Sequence, residues 1–262
     1  MKLRSTPPLA DNKYYLKAPG TPGAADMTPG APTGYNPCIV GNPINRQYPN
    51  SVLANCVGGA VGVFNELHHD ITGEDGCPLL GNRYPSGMLA LAKSQGLEVG
   101  DDPRPGAACV QYGTREHIFI MGKLRRAGRG IVATIHESGW NFAKGIYLIT
   151  RESSGANNWG MGSAYPVKGY IYHPDINPYW ESPTVPVIKY GTTGNNARWL
   201  QWVLVKEKRY EDGYNVPSEI DGHCGERTIA ALKKFQTAHG LDPDGYCGPL
   251  TQAVIKKLYT IE

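Results

Sequence analysis

The chain has 262 residues, 40% of them hydrophobic, which is enough for two globular domains of ordinary size. Its formal net charge of +3 is too small to indicate nucleic-acid binding, and no stretch approaches the roughly 20 apolar residues that span a bilayer. We therefore expect a modular, monomeric protein with no nucleic-acid partner and no stable insertion into a membrane.

The first 35 residues are rich in proline and glycine and are predicted to form an extended arm rather than part of a core. The chain starts with basic residues, but the apolar stretch of a secretion signal does not follow them. Synthesis in a reducing compartment is therefore expected, and six cysteines without a disulfide framework are predicted to remain thiols.

A cysteine at the start of an apolar run is the first candidate catalytic residue. Cys56 follows Asn55 and precedes a Gly- and Ala-rich stretch that is predicted to be helical. The positive end of a helix dipole and a nearby imidazolium both stabilise a thiolate, the form of cysteine that attacks a carbonyl carbon. Asn55 is expected either to cap the helix or to help bind the oxyanion. Because a cysteine in an apolar run is more often a buried small hydrophobe, its partners decide the assignment.

Two strands with a short connection supply those partners. Residues 116–124 and 130–140 are predicted to form a hairpin around a glycine-containing turn. A turn at the centre of the connection places His117 directly opposite Glu137, on the face away from His136. His117 is then the base that protonates a leaving amine, and Glu137 is the carboxylate that orients its ring. A slip of one residue would exchange Glu137 for His136.

Five short motifs between residues 36 and 174 strengthen this assignment. They are Asn-Cys at 55–56, Pro-Gly-Ala-Ala-Cys-Val at 105–110, Glu-His-Ile at 116–118, Glu-Ser-Gly-Trp-Asn at 137–141 and Val-Lys-Gly-Tyr-Ile-Tyr-His-Pro at 167–174. In this order they resemble the motifs of CHAP domains, which are cysteine, histidine-dependent amidohydrolases or peptidases that cut bacterial peptidoglycan. The resemblance implies an α+β, papain-like fold with an antiparallel sheet and an N-terminal catalytic helix. It also implies that Cys56 is the nucleophile, His117 the base and Glu137 its orienting acid.

The chain departs from the CHAP pattern at two places. Gly139 stands where many relatives carry an asparagine, so that polar group is either absent or replaced by Ser138 or Asn141. Some relatives bind calcium through aspartates before the nucleophile, but residues 41–55 contain no Asp or Glu. Since calcium prefers several carboxylate oxygens, we expect no metal there and no cofactor. A zinc amidase is the alternative, but the sequence His-His-Asp at 68–70 has no companion ligands at a recognisable metal spacing.

Three aromatic residues are candidates for lining a substrate groove in this domain: Trp140, Trp159 and Tyr165. The alternative for each is a place in the core, where most aromatic side chains of such a domain pack. The expected reaction is cleavage of an amide bond in the wall peptide. N-acetylmuramoyl-L-alanine amidases and endopeptidases use the same nucleophilic chemistry, so the residues leave both open.

The C-terminal quarter contains an internal repeat. The sequence Asp-Gly-His-Cys-Gly-Glu-Arg-Thr at 221–228 recurs as Asp-Gly-Tyr-Cys-Gly-Pro-Leu-Thr at 244–251. Each copy leads into an amphipathic helix, and a third helix is predicted before them. Residues 187–258 resemble the peptidoglycan-binding module called PG-binding 1, which implies bacterial peptidoglycan as the partner. Cys224 and Cys247 occupy equivalent positions and are expected to be buried thiols, with a disulfide as the alternative.

These features predict a Pro/Gly-rich arm over residues 1–35, a CHAP-like catalytic domain over 36–174, a stiff Pro-rich linker over 175–186 and a peptidoglycan-binding domain over 187–262. The expected function is that of a phage endolysin, a peptidoglycan hydrolase that lyses the host cell. Such an enzyme would be made in the host bacterial cytoplasm and reach the wall through a separate export or permeabilising factor. A secreted bacterial autolysin and a noncatalytic wall-binding protein are the alternatives.

Overall fold

The computed structural model describes residues 84–141 and 145–259, together with five helical positions further upstream: Cys56, Ala60, Phe64, Leu67 and His68. Between residues 138 and 150 it describes the backbone of the strands but not the side chains. The predicted N-terminal arm, Asn55 and the segment considered for calcium lie outside the described residues. The chain divides into two compact units, with the boundary between Pro174 and Asp175.

The first unit contains a six-stranded antiparallel sheet, in agreement with the predicted α+β class. Its strands are β1 (Val99–Gly100), β2 (Ala108–Tyr112), β3 (Glu116–Ala127), β4 (Gly130–Asn141), β5 (Gly145–Ser154) and β6 (Val167–Ile171). They lie in the order β1-β6-β2-β3-β4-β5, and every neighbouring pair is antiparallel. Consecutive residues are buried at 108–111 in β2 and at 118–122 in β3, so both faces of the sheet are covered at its centre.

A helix, α1 (Pro85–Ser94), packs against β2. Proline suits its first position, where the missing N–H would have had no partner within the helix. The Ser86 N–H and hydroxyl both donate to Glu116 Oε2 at 3.1 Å, which places a carboxylate at the positive end of the helix. This contact anchors α1 to the residue immediately before His117.

The β3–β4 hairpin has a shorter turn than predicted. Ala127 pairs with Gly130, so the loop has two residues, and its first, Gly128, has a φ of 60° that suits glycine. Further along, Ile120 pairs with His136, and a bulge separates the two registers. The predicted direct opposition of His117 and Glu137 is therefore wrong. That register required a turn centred on residue 127 and no bulge, whereas the observed turn is centred between residues 128 and 129.

The second unit contains the three predicted helices: α2 (Asn195–Lys206), α3 (Glu226–Ala238) and α4 (Pro249–Tyr259). A short 3-10 helix, Pro217–Glu219, lies between α2 and α3. Apolar side chains from all three helices form one core, with Trp199, Leu232 and Ile255 almost completely buried. The segment predicted as a linker is packed on this unit at its start, where Asn177 Nδ2 donates to the Trp199 carbonyl at 3.0 Å.

A buried glutamine holds each repeated turn. Gln201 Nε2 donates to Asp221 Oδ1 at 2.8 Å, and Gln201 Oε1 accepts the N–H of the glycine that follows this aspartate at 2.8 Å. Gln236 makes the same pair of bonds in the second copy, at 2.8 Å to Asp244 and 3.0 Å from the next glycine. Because an amide side chain presents both a donor and an acceptor, one glutamine satisfies both sides of the turn. The repeat is thus a repeated helix-and-turn contact as well as a repeated sequence.

Cys224 and Cys247 are both free thiols and fully buried, as expected from their apolar surroundings. Burial raises the pKa of Cys224 to about 11 and that of Cys247 to about 12, so both stay protonated at neutral pH. Cys247 N–H and carbonyl pair with Ile188, which ties the start of the unit to the second repeat. The role of these cysteines in the fold is therefore packing.

Candidate active site

The structure brings Cys56, His117 and Glu137 together. His117 Nε2 lies 2.7 Å from Glu137 Oε2, and the His117 side chain also forms a hydrogen bond with Cys56. Since Glu137 occupies Nε2, Nδ1 is the ring nitrogen left for the thiol. Cys56 is partly exposed, whereas only 12% of the His117 side chain and 7% of the Glu137 side chain are exposed. A partly exposed thiol is thus backed by a buried imidazole and a buried carboxylate.

Helical spacing explains how Cys56 is aimed at the sheet. Ala60, Phe64 and Leu67 follow it at intervals of four, four and three residues, and all three are buried. Residues three and four apart share one face of a helix, so burial of these side chains also directs Cys56 toward the protein interior. The Phe64 ring packs 5.0 Å from that of His173, which adds a contact at the far end.

A bulge in β3 decides which residue of β4 faces His117. Ile120 pairs with His136, and continuing this register places Glu137 on the same face as His117, two residues diagonally along the sheet. Nearer the turn the register differs by one residue, and extending it without the bulge would place His136 on that face instead. The predicted register was wrong by two residues. Because a shift of two residues leaves each side chain on the same face of the sheet, the predicted contact between His117 and Glu137 is still formed.

Gly122 lies within this bulge. A Cβ atom there would come within 2.5 Å of His136 Nε2 and 3.2 Å of the Thr134 Cβ. His136 is buried, and burial lowers its pKa to about 4, so it is neutral at ordinary pH. The rival base considered from sequence therefore packs against the bulge on the face opposite to His117.

The electrostatics of the trio favour a charged imidazole. Burial by itself lowers the pKa of His117, but hydrogen bonds and charge interactions with Cys56 and Glu137 outweigh it and raise this pKa to about 9. Burial acts to raise the pKa of Glu137, whereas His117 and Arg151 hold it below its ordinary value. An ionised carboxylate and a protonated imidazole thus stabilise each other.

Arg151 is a member of the site that sequence reasoning missed. Its Nε donates to Glu137 Oε1 at 2.5 Å, so Glu137 bridges the guanidinium and the imidazole. Residue 151 pairs with Ile135, two pairs along from Glu137 and therefore on the same face of the sheet. Alternation along β5 was the available signal, because it puts Arg151 on the face of a carboxylate that needs a cation.

The three aromatic candidates have different surroundings. Tyr165 is partly exposed and its ring stands edge-on to His117, with 6.3 Å between the ring centroids. Trp159 is fully buried and its Nε1 donates to the Tyr170 hydroxyl at 2.9 Å, so its expected place in a groove is corrected to one in the core. Trp140 pairs with Ile146 through the backbone, and its side chain lies outside those described. Of the two candidates whose side chains are described, Tyr165 is the one in contact with His117.

Within residues 84–141 and 145–259 and the upstream helical positions, no group of three or more His, Cys, Asp or Glu side chains is placed to hold a metal ion. His68, the described member of the sequence considered for zinc, packs against the His173 ring at 5.6 Å. None of the helices in the described part of the chain is long and apolar enough to cross a membrane.

A pocket of about 180 Å³ opens in the second unit between α3 and the loop that follows α2. The Tyr214 side chain is 42% exposed at this pocket, and the Arg227 guanidinium lies 4.3 Å from the centre of its ring. Arg227 also pairs with Glu219. An exposed aromatic ring beside charged groups offers both a stacking surface and hydrogen-bond donors to a polar polymer.

Comparison with protein families gives one match, which covers residues 193–255 and is described as a putative peptidoglycan binding domain. Comparison with curated proteins gives no match, and comparison with solved structures gives none either. The matched residues contain both repeated turns, helices α2 and α3 and most of α4. The C-terminal unit therefore carries a peptidoglycan-binding module, and peptidoglycan is the partner that this module indicates.

Proposed function

We propose that the chain is a peptidoglycan hydrolase that cleaves an amide bond of the wall peptide by acyl transfer to Cys56. The observation that carries this proposal is the contact of Cys56 with His117, whose other nitrogen lies 2.7 Å from Glu137, in a chain with a peptidoglycan-binding module. Cysteine with histidine and an orienting acid is a recurrent arrangement for amide cleavage. The first unit is on this proposal a CHAP-like, papain-like domain.

In the first step the Cys56 thiolate attacks the amide carbonyl carbon. A bond forms between Sγ and carbon, and the carbonyl oxygen takes the negative charge. The protonated His117 then donates its Nδ1 proton to the amide nitrogen, the carbon–nitrogen bond breaks and an amine leaves. A raised His117 pKa supports this step, because it keeps the imidazole protonated at neutral pH and so able to donate the proton.

In the second step water releases the acyl group. Neutral His117 accepts a proton from water, the hydroxide attacks the thioester carbon, and the bond between carbon and Sγ breaks. The products are a carboxylic acid and the regenerated Cys56–His117 pair. Glu137 takes part in both steps by holding Nε2, which keeps Nδ1 directed at the reacting atoms.

The second unit supplies attachment to the substrate. Binding to the polymer raises the local concentration of peptide bonds around Cys56 without adding a catalytic contact. The pocket with Tyr214 and Arg227 is the proposed contact surface, since it lies within the matched residues and exposes an aromatic ring. Cutting enough peptide bonds would lyse the cell, which is the activity of phage endolysins.

The test uses purified bacterial cell walls and the full chain. We expect the turbidity of a wall suspension to fall with the native protein and to stay constant with Cys56→Ala and Cys56→Ser, while all three proteins pellet with the walls. A thiol alkylator should abolish lysis, whereas a chelator should not. Lysis by folded Cys56→Ala would remove Cys56 as the nucleophile, and zinc-restored activity after chelation would favour a metalloenzyme. Binding without any cleavage would leave a noncatalytic wall-binding protein.

A further inference from the structure

Glu137 has a second partner whose contact is as close as that of the base. Its Oε2 lies 2.7 Å from His117 Nε2, and its Oε1 accepts a hydrogen bond from Arg151 Nε at 2.5 Å. The carboxylate side chain is only 7% exposed, whereas that of Arg151 is 28% exposed. Each carboxylate oxygen thus has its own donor, and one of the two donors is permanently charged.

The carboxylate depends on this second donor. Water has little access to a side chain with so small an exposed fraction, so loss of the arginine would leave Oε1 buried without a described partner. A carboxylate held at one oxygen can also rotate about its bond to the chain, and the imidazole that it orients would rotate with it. Donors at both oxygens fix the carboxylate plane and therefore the direction of His117 Nδ1.

Arg151 is itself held by the loop between β5 and β6. Its Nη1 donates to the Trp159 carbonyl at 3.2 Å, and its Nη2 contacts Met161 Sδ at 3.2 Å. The Ser153 hydroxyl donates to the same carbonyl at 2.6 Å. Trp159 is fully buried, hydrogen-bonded through its indole, and has a φ of 49°. This φ lies in the left-handed region, which residues other than glycine seldom adopt, and the carbonyl of this residue accepts hydrogen bonds from both Arg151 and Ser153.

We propose that Arg151 is a positioning residue for the Cys56–His117 pair, which acts through Glu137 and is fixed by the Trp159 carbonyl. The guanidinium need not touch substrate. Its role is to hold the Glu137 carboxylate ionised and in one orientation. This inference rests on the proposed cysteine hydrolase function and adds to it a fourth residue, on a third strand.

Four titratable or charged groups face Glu137 directly or through the imidazole, and any of them could contribute to a pH effect. They are His117 from β3, Arg151 from β5 and, through the imidazole, Cys56 from the upstream helix and Tyr165 from the loop before β6. Neighbouring His136 projects from the opposite face of β4. A substitution of Arg151 is therefore expected to change the reactivity of the Cys56 thiol through Glu137 and then His117.

The experiment compares full-length Arg151→Gln and Arg151→Lys with Arg125→Gln as the matched control. Arg125 on β3 also pairs with a glutamate of the same sheet, Glu152 on β5, but this contact is 3.5 Å long and 55% of the Arg125 side chain is exposed. Two readouts are needed: the rate of wall lysis, and the pH dependence of Cys56 alkylation by iodoacetamide, followed by mass spectrometry of the Cys56 peptide. The alkylation readout does not depend on the wall.

We expect Arg151→Gln to lower the lysis rate by about tenfold or more, as supporting residues of a reactive site commonly do. We also expect it to move the acidic limb of the alkylation profile upward by at least about half a pH unit, because loss of an adjacent cation favours protonated Glu137. Arg151→Lys should restore most of the pH profile and part of the rate, since it keeps the charge but not the forked geometry. Arg125→Gln should match the native protein.

Native lysis and a native alkylation profile in Arg151→Gln would overturn the assignment of Arg151 while leaving Cys56 as nucleophile. If Arg151→Gln does not fold, Arg151→Lys is the deciding variant. A native alkylation profile and a native lysis rate in Arg151→Lys would show that the forked guanidinium is not required, and would overturn the claim that it fixes the plane of the Glu137 carboxylate. If the native protein cuts no walls, the hydrolase function fails, and the alkylation profiles still decide whether Arg151 acts on the pair.

Discussion

Replacing Glu137 by glutamine tests the electrostatics of the site most directly. The substitution keeps the size of the side chain and an oxygen that can accept a hydrogen bond, but it removes the charge between His117 and Arg151. The pKa of His117 is raised from 6.5 to about 9, which corresponds to about 3 kcal/mol in favour of the imidazolium. Burial opposes this shift, so Cys56 and Glu137 together contribute more than that amount.

If Glu137 supplies about half of this contribution, Glu137→Gln should lower the His117 pKa by at least about one unit. The lysis rate should fall by at least about tenfold, because the ring loses its oriented, charged partner. NMR titration of ring-labelled histidine gives the pKa, with the His117 signal assigned from its absence in His117→Ala. Turbidity of purified walls gives the rate.

Stability should follow the same change. Because the pKa of His117 is raised in the folded chain, its charge contributes stability that is complete below about pH 6.5 and lost as pH rises through about 9. In Glu137→Gln that loss should be smaller and should end at a lower pH. Glu152→Gln is the matched control, since Glu152 lies on the neighbouring strand and 65% of its side chain is exposed. An unchanged His117 pKa with unchanged lysis in folded Glu137→Gln would refute this account of the trio.

Three further substitutions test other parts of the structure. Gly122→Ala should reduce stability and lysis because its Cβ meets His136 Nε2 at 2.5 Å, and adding His136→Ala should restore lysis; failure of that rescue would count against the bulge as the cause. Gln236→Leu should lower the unfolding free energy of the C-terminal unit by about 2 kcal/mol, since it leaves buried groups of the second turn unpaired, and calorimetry should show the first unit unchanged. Tyr214→Ala should weaken pelleting with walls by about tenfold without changing Cys56 alkylation, and equal pelleting would exclude that pocket.

The candidate catalytic residues were recognisable because each has a local signature. Cys56 begins a run in which apolar residues recur at helical spacing, and His117 and Glu137 lie on strands flanking a glycine-containing turn. Side chains alternate between the two faces along a strand, so two residues of paired strands are assigned to the same face correctly when the register is right or is wrong by an even number of residues. The predicted register was in error by two residues, so the face was correct although the direct opposition was not.

Arg151 and the glutamines of the repeat were not recognisable in the same way. Arg151 reaches Glu137 from another strand, and Gln201 reaches its turn from a helix 20 residues earlier in the chain. A polar residue has the same local sequence context whether its partner is water or a buried carboxylate. Only the paired strands and packed helices determine which of the two it meets.

The sequence by itself indicated the candidate nucleophile, its candidate base and acid, and the repeated turns of the wall-binding module, because helix starts, strand alternation and glycine turns depend on near neighbours. Tertiary structure decided that Glu137 rather than His136 faces His117, that Trp159 lies in the core, and that Arg151 completes the carboxylate's hydrogen bonds. The reason is that a bulge shifts the register of two strands by one residue, which exchanges the side chains on the two faces, and that burial depends on elements distant in sequence. The sequence of one segment reveals neither the bulge nor the burial.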